Sequence, residues 1–124
     1  MTNYRIMEGD NLVQRKSYGF ALRILGMYKY LTCQKKEYIL SKQILRSGTS
    51  IGANIEEVIG GQSRRDFFPK MFIAYKEARE SIFWIRLLRD GGFLEYSAAE
   101  SILSDCEELC RIIGRIQLTT KKNS

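Results

Sequence analysis

Residues 38–60 read YILSKQILRSGTSIGANIEEVIG. Ile44, Gly48, Ile51, Ile55 and Val58 recur there at steps of four and three, the interval that returns side chains to one face of a helix. The spacing predicts a helix over about 38–59. Gly48 and Gly52 each cost about 1 kcal/mol relative to alanine inside a helix, yet the apolar rhythm passes through them without a phase break. Glycines four apart share a face, so they predict close approach by a neighbouring backbone or by Phe and Tyr rings of the flanking helices. The alternative is a loop over Ser47–Ser50 whose backbone N–H groups bind an anion, but no phosphate-loop pattern accompanies it.

Outward from this segment, three more helices follow from the same rhythm. Val13, Ser17, Phe20, Ile24, Met27 and Leu31 predict a helix over about 11–34, with Asp10 or Asn11 available as its cap. The polar run Gln34–Glu37 suits a short surface turn. Gly60 and Gly61 close the second helix, and Ser63 with Asp66 resembles a capping box for a third over about 64–90. Pro69 lies in the first turn at little cost if Asp66 is the cap, and kinks the helix if Ser63 is. The core series Met71, Ala74, Ala78, Ser81, Ile85 and Leu88 ends at Gly91–Gly92. Ser97 with Glu100 forms a capping box for a fourth helix over about 97–119, carrying Ile102, Cys106, Leu109, Ile113 and Ile116. Long amphipathic helices with short connections specify an all-α, up-down-up-down antiparallel four-helix bundle.

The 124 residues suffice for one domain, and 44% hydrophobic with 27% charged residues is an ordinary globular balance. Apolar runs such as Phe20–Leu22 and Ile82–Ile85 are far shorter than a membrane span, and the N-terminus has no signal-peptide pattern, so a cytoplasmic location is expected. Cys33, Cys106 and Cys110 form no disulfide framework and are expected to be reduced and half-buried. The net charge of +6 predicts attraction to something anionic. It is unevenly placed: residues 90–110 hold six acids and no base, and residues 111–124 hold four bases and no acid.

The third helix carries more apolar surface than one core can use. Phe68, Phe72, Tyr75, Ile82 and Phe83 fall on a second face together with Arg79 and Arg86. In water that face would be an exposed patch, which predicts an interface between copies of the chain. It could instead be a nucleic-acid surface with rings on unpaired bases and arginines on phosphates, or a broadly packed flank helix. Candidate nucleic-acid contacts are Arg46, Arg64, Arg65, Lys76, Arg79 and Arg86.

No histidine is present, which removes Ser-His-Asp and Cys-His catalysis and the Glu-x-x-His pairs of di-iron bundles. Cys106 and Cys110 lie one turn apart, but a closed zinc site needs four ligands and only Cys33 remains. Glu77 and Glu80 read as a solvated face paired with Lys76 and other bases. The chain is therefore expected to have no catalytic, metal or cofactor site.

The segments YILSKQILRSGTSIGAN, IEE and GQSRRDFFPKMFIAYKEARESIFWIRLL resemble the four-helix bundle proteins encoded in intervening sequences of bacterial large-subunit rRNA genes, once labelled ribosomal proteins. The resemblance covers about residues 11–118 and is most specific in LRSGTSIGANI and KEARE. It implies a homopentameric ring. A related accessory protein of diversity-generating retroelements implies binding to nucleic acid and a reverse transcriptase, so the expected partners are further copies of the chain, RNA or DNA, or a protein such as a polymerase docked on a scaffold. It also marks Arg46, Ser47, Ser50 and Asn54 as family-typical positions. Bonds across helices or between subunits are one account of them, with Arg46 on a phosphate or carboxylate the other. Pro69 departs from the helix-compatible residue expected there.

Overall fold

The computed structural model describes residues 11–61 and 64–122. Four helices follow in order: α1 (Asn11–Cys33), α2 (Leu40–Gly60), α3 (Phe67–Asp90) and α4 (Tyr96–Lys122), with a 3-10 turn at Arg64–Asp66. Each packs on the next and α4 returns to α1, closing an antiparallel four-helix bundle. No helix among the described residues is long and apolar enough to cross a membrane.

Every core position expected from the periodicity is buried. Val13, Phe20, Ile24 and Leu31 of α1 meet Ile44, Ile51 and Ile55 of α2, Met71, Ile85 and Leu88 of α3, and Cys106, Leu109 and Ile113 of α4 in one cluster. α2 runs unbroken through Ser47–Ser50, so the anion-loop alternative does not hold. The two glycines do admit α1, but not through aromatic rings. A Cβ on Gly48 would lie 2.8 Å from Ile24 Cγ1, and one on Gly52 would lie 3.3 Å from the Ser17 carbonyl oxygen. The approach is an aliphatic side chain in one case and backbone in the other.

Helix ends depart from expectation where side chains outside the helix compete for them. α1 stops at Cys33, Lys36 takes a left-handed φ of 55°, and the Glu37 N–H returns to the Leu31 carbonyl at 2.9 Å. Glu37 then caps α2. Its carboxylate accepts the N–H groups of Ile39, Leu40 and Ser41 at 3.1, 2.9 and 2.7 Å, while the Ser41 hydroxyl donates back to the Glu37 carbonyl at 2.9 Å. Burial pushes the Glu37 pKa up, but the three backbone donors outweigh it and hold the carboxylate below its ordinary range.

Asp66 immediately precedes α3 without a side-chain capping bond, and Pro69 occupies the third helical position, where its missing N–H would lack an intrahelical partner in any case. The caps expected from Asp10, Asn11 and Ser63 lie outside the described residues and side chains. α3 ends through Gly92 at φ 85°, a conformation that glycine adopts without strain, with the Phe93 N–H on the Leu88 carbonyl at 2.9 Å. The Ser97–Glu100 capping box does not form. α4 already begins at Tyr96, the Ser97 hydroxyl donates to Glu95 at 2.6 Å, and Glu100 is held by Arg89. At its other end α4 runs to Lys122, because buried Thr120 continues the inward series of Ile113 and Ile116.

Candidate nucleic-acid interface

Acidic side chains are largely taken up inside the chain, and this decides where the positive surplus lies. Arg46 crosses from α2 to Glu77 at 3.1 Å and to Glu80. Lys70 holds Glu57 at 2.5 Å. On the α1–α4 seam, Arg23 holds Asp105 at 2.5 Å and Lys16 holds Glu108 at 3.1 Å. Arg89 joins Asp90 at 2.7 Å to Glu100 at 2.5 Å. Such pairs at a surface are individually weak. Arg15, Lys29, Lys35, Lys36, Lys42 and Lys121 have no ion pair among the described residues, and on α3 and α4 the same holds for Lys76, Arg79, Arg86, Arg111 and Arg115, with Glu107 the one unpaired acid beside them. Glu80 and Asp90 lie one turn from Lys76 and Arg86, but Arg46 and Arg89 already occupy those carboxylates.

The α3 and α4 cations gather on the outer side of their helices. A groove of about 610 Å³ runs between the two helices, lined by Tyr75, Arg79, Ile82, Phe83 and Arg86 from α3 and by Glu107, Cys110 and Arg111 from α4. Tyr75 lies against α4 beside Gly114, where a Cβ would sit 3.7 Å from Tyr75 Cε1, an ordinary van der Waals distance. Arg115 is exposed one turn beyond Arg111.

The expected second face of α3 is thus divided. Phe68, Tyr75 and Ile82 are half-buried against the chain's own core, because the flank of α3 packs more broadly than a single core stripe. Phe72 and Phe83 remain 55% and 53% exposed. Lys76 Nζ lies 5.6 Å from the Phe72 ring centroid. Phe83 makes a T-shaped contact with Trp84 at 5.1 Å, and Trp84 Nε1 donates to Glu80 at 2.8 Å.

The other candidate cations are placed differently. Arg46 is 49% exposed but held between its two carboxylates, which a phosphate would have to displace. Arg64 and Arg65 lie in the 3-10 turn, Arg65 exposed and the Arg64 side chain outside the described residues. Ser47 meets Ser81 across the α2–α3 interface, and Asn54 donates to the Ser50 carbonyl at 2.9 Å and to its hydroxyl at 3.1 Å. Arg46 and Ser47 thus bond across to α3, as one account of these positions expected, whereas the Asn54–Ser50 bonds lie within α2. Glu77 and Glu80 are paired with a base as expected, but the base is Arg46 from the neighbouring helix and not Lys76. Cys106, a member of the core series, and its neighbour Cys110 are buried, whereas Cys33, expected to be half-buried, is exposed; all three are free thiols. Cys106 donates to the Ala78 carbonyl at 3.3 Å, and burial pushes its thiol pKa far up, which keeps it protonated.

Two features escaped the sequence reading. Arg111 and Arg115, inside the predicted fourth helix, were not named among the candidate contacts, although their spacing of four places them on one face of α4. On α1, Tyr18, Leu22 and Leu25 are 63%, 53% and 41% exposed. At 100° per residue they fall within about 60° of arc, nearly opposite the buried face. Beside them an apolar cleft of about 260 Å³ is lined by Ser17, Tyr18, Ala21, Thr49, Gly52, Ala53 and Glu56.

No curated protein matches the chain. A crystal structure of a protein of unknown function from the S23 ribosomal protein family of Bacteroides thetaiotaomicron is similar to it, with 47% identity and a TM-score of 0.85 over 87% of this chain and 96% of that one. The model of the 23S rRNA-intervening sequence protein family matches residues 9–115. With most of its length matched and the bundle shared, the chain belongs to the 23S rRNA-intervening sequence protein family.

Proposed function

We propose that the chain works by binding, not catalysis, as a homo-oligomeric module that holds RNA or DNA through its phosphate backbone on the outer face of α3 and α4. The observation that carries this reading is the internal pairing of the acids, which leaves Lys76, Arg79, Arg86, Arg111 and Arg115 together without ion-pair partners. Unpaired arginines beside a groove offer charge-assisted donors to phosphate oxygens. Further copies joined through an apolar face would repeat the basic face and raise avidity.

Nitrocellulose retention or anisotropy with labelled RNA and DNA tests it. Binding at about 50 mM salt should fall steeply by about 200 mM, and Arg79→Glu with Arg86→Glu should lower the slope of log affinity against log salt by about one for each lost contact. Absence of any retention at the lower salt would end the reading.

The exposed α1 stripe of Tyr18, Leu22 and Leu25 favours a second reading, a scaffold that docks a protein partner such as a polymerase. Capture of a defined partner that survives nuclease and is lost on Leu22→Glu would support it.

A further inference from the structure

The outermost stripe of α3 interleaves flat rings with cations. Phe72, Lys76, Arg79, Phe83 and Arg86 fall within about 80° of arc at 100° per residue, centred about 130° around the helix from the buried Met71, Ala74, Ala78 and Ile85. Phe72 and Phe83 each leave more than half of the residue's available surface to water, so neither is placed there by the needs of the core. They stand about 16 Å apart along the helix axis, with Lys76 and Arg79 between them. Phe83 is steadied by Trp84, itself tied to Glu80 at 2.8 Å.

A duplex would use only the cations, because its bases are already stacked and its outside is phosphate. Unpaired bases each present a free π-face, and a row of rings among cations satisfies both halves of a single strand. We infer that this face takes single-stranded nucleic acid, with bases stacking on Phe72 and Phe83 and phosphates meeting Lys76, Arg79 and Arg86, and Arg111 across the groove. The inference rests on the nucleic-acid reading above. A second copy of this chain complements the face poorly. Seven of its twelve described acids are already held by its own Arg23, Arg46 and Arg89 and by Lys16 and Lys70.

Fluorescence anisotropy with the full chain decides the matter, using oligo-U, oligo-dT, a duplex of equal length and an abasic sugar-phosphate strand. The base-bearing single strands should bind more tightly than the other two. Phe72→Ala and Phe83→Ala should each weaken them by roughly 5- to 100-fold while leaving duplex and abasic affinities in place, and Phe83→Tyr should restore the loss. Either sugar satisfies the inference, and the tighter of the two distinguishes RNA from DNA. Equal affinity for duplex and single strand, unmoved by either alanine, overturns the single-strand assignment and leaves backbone binding standing. Polyglutamate binding as tightly as oligo-U assigns the face to acidic protein and overturns it as well. No binding of any nucleic acid removes the underlying function too.

Discussion

The Ser47 and Ser81 hydroxyls meet at 2.9 Å across the α2–α3 interface, and Ser81 passes its own hydrogen to the Glu77 carbonyl at 2.8 Å. Ser47 is therefore the donor between the two. Both side chains are fully buried, so the bond replaces water that neither could otherwise reach. Small hydroxyls at these positions let the helices approach while satisfying their own polar atoms.

Removing both hydroxyls should consequently cost less than the sum of removing each alone. Ser81→Ala strands the Ser47 donor and should destabilise the fold by about 1–3 kcal/mol, whereas the Ser47→Ala, Ser81→Ala pair should cost less than the two single losses added. Urea unfolding of the three variants gives the cycle. Strict additivity would mean that the hydroxyls contribute independently.

Gly48 and Gly26 are both helical glycines, yet alanine should act on them with opposite sign. At Gly48 the new Cβ would meet Ile24 Cγ1 at 2.8 Å and Cγ2 at 3.0 Å, carbons of a fully buried, stiff side chain. Gly48→Ala should lose about 1–3 kcal/mol despite the better helix propensity. At Gly26 nothing lies within 4 Å, and Gly26→Ala should gain about 0.5–1 kcal/mol. Thermal or denaturant midpoints moving in the same direction would contradict the packing role assigned to Gly48.

Glu80 carries a pH signature. The hydrogen bond from Trp84 holds its carboxyl below the ordinary range, assisted by Arg46 and opposed by burial. A depressed folded pKa gives stability that is present above the unfolded value of about 4.3 and is lost as pH falls through the folded value. The melting-temperature gap between the native chain and Glu80→Gln should be widest near neutrality and close between about pH 5 and pH 3. A gap constant across that range would show that the charge on Glu80 contributes nothing to the α2–α3 seam.

The core of this bundle was legible because burial obeys helical periodicity: Ile24, Ile44, Ile85 and Ile113 could be placed inward from spacing alone. The interface was legible only in part. Tyr75 and Ile82 share an apolar face with Phe72 and Phe83, but whether such a residue is covered depends on how closely α4 approaches, which a single-helix projection does not contain. Glu37 as a cap and Arg46 as a clamp on Glu77 and Glu80 depend on chain reversal bringing partners together, and no local pattern announces either. The α1 stripe was readable by the same projection that exposed the second face of α3.

That stripe is the sharpest point on which self-association can be tested. Tyr18, Leu22 and Leu25 point away from the core with one cation, Lys29, inside their arc, whereas the α3 face interleaves Lys76, Arg79 and Arg86, more like charge to oppose its counterpart in a symmetric contact. On that ground a second copy is predicted to sit on the α1 face and an anion on α3. Sedimentation of the native chain should give a mass above the 14.4 kDa monomer, and Leu22→Glu should lower it, while Arg79→Glu should leave the assembly intact and weaken only nucleic-acid binding. The reverse pattern, in which Arg79→Glu or Tyr75→Glu splits the assembly and Leu22→Glu does not, would return the interface to α3 and leave the α1 stripe for a different protein.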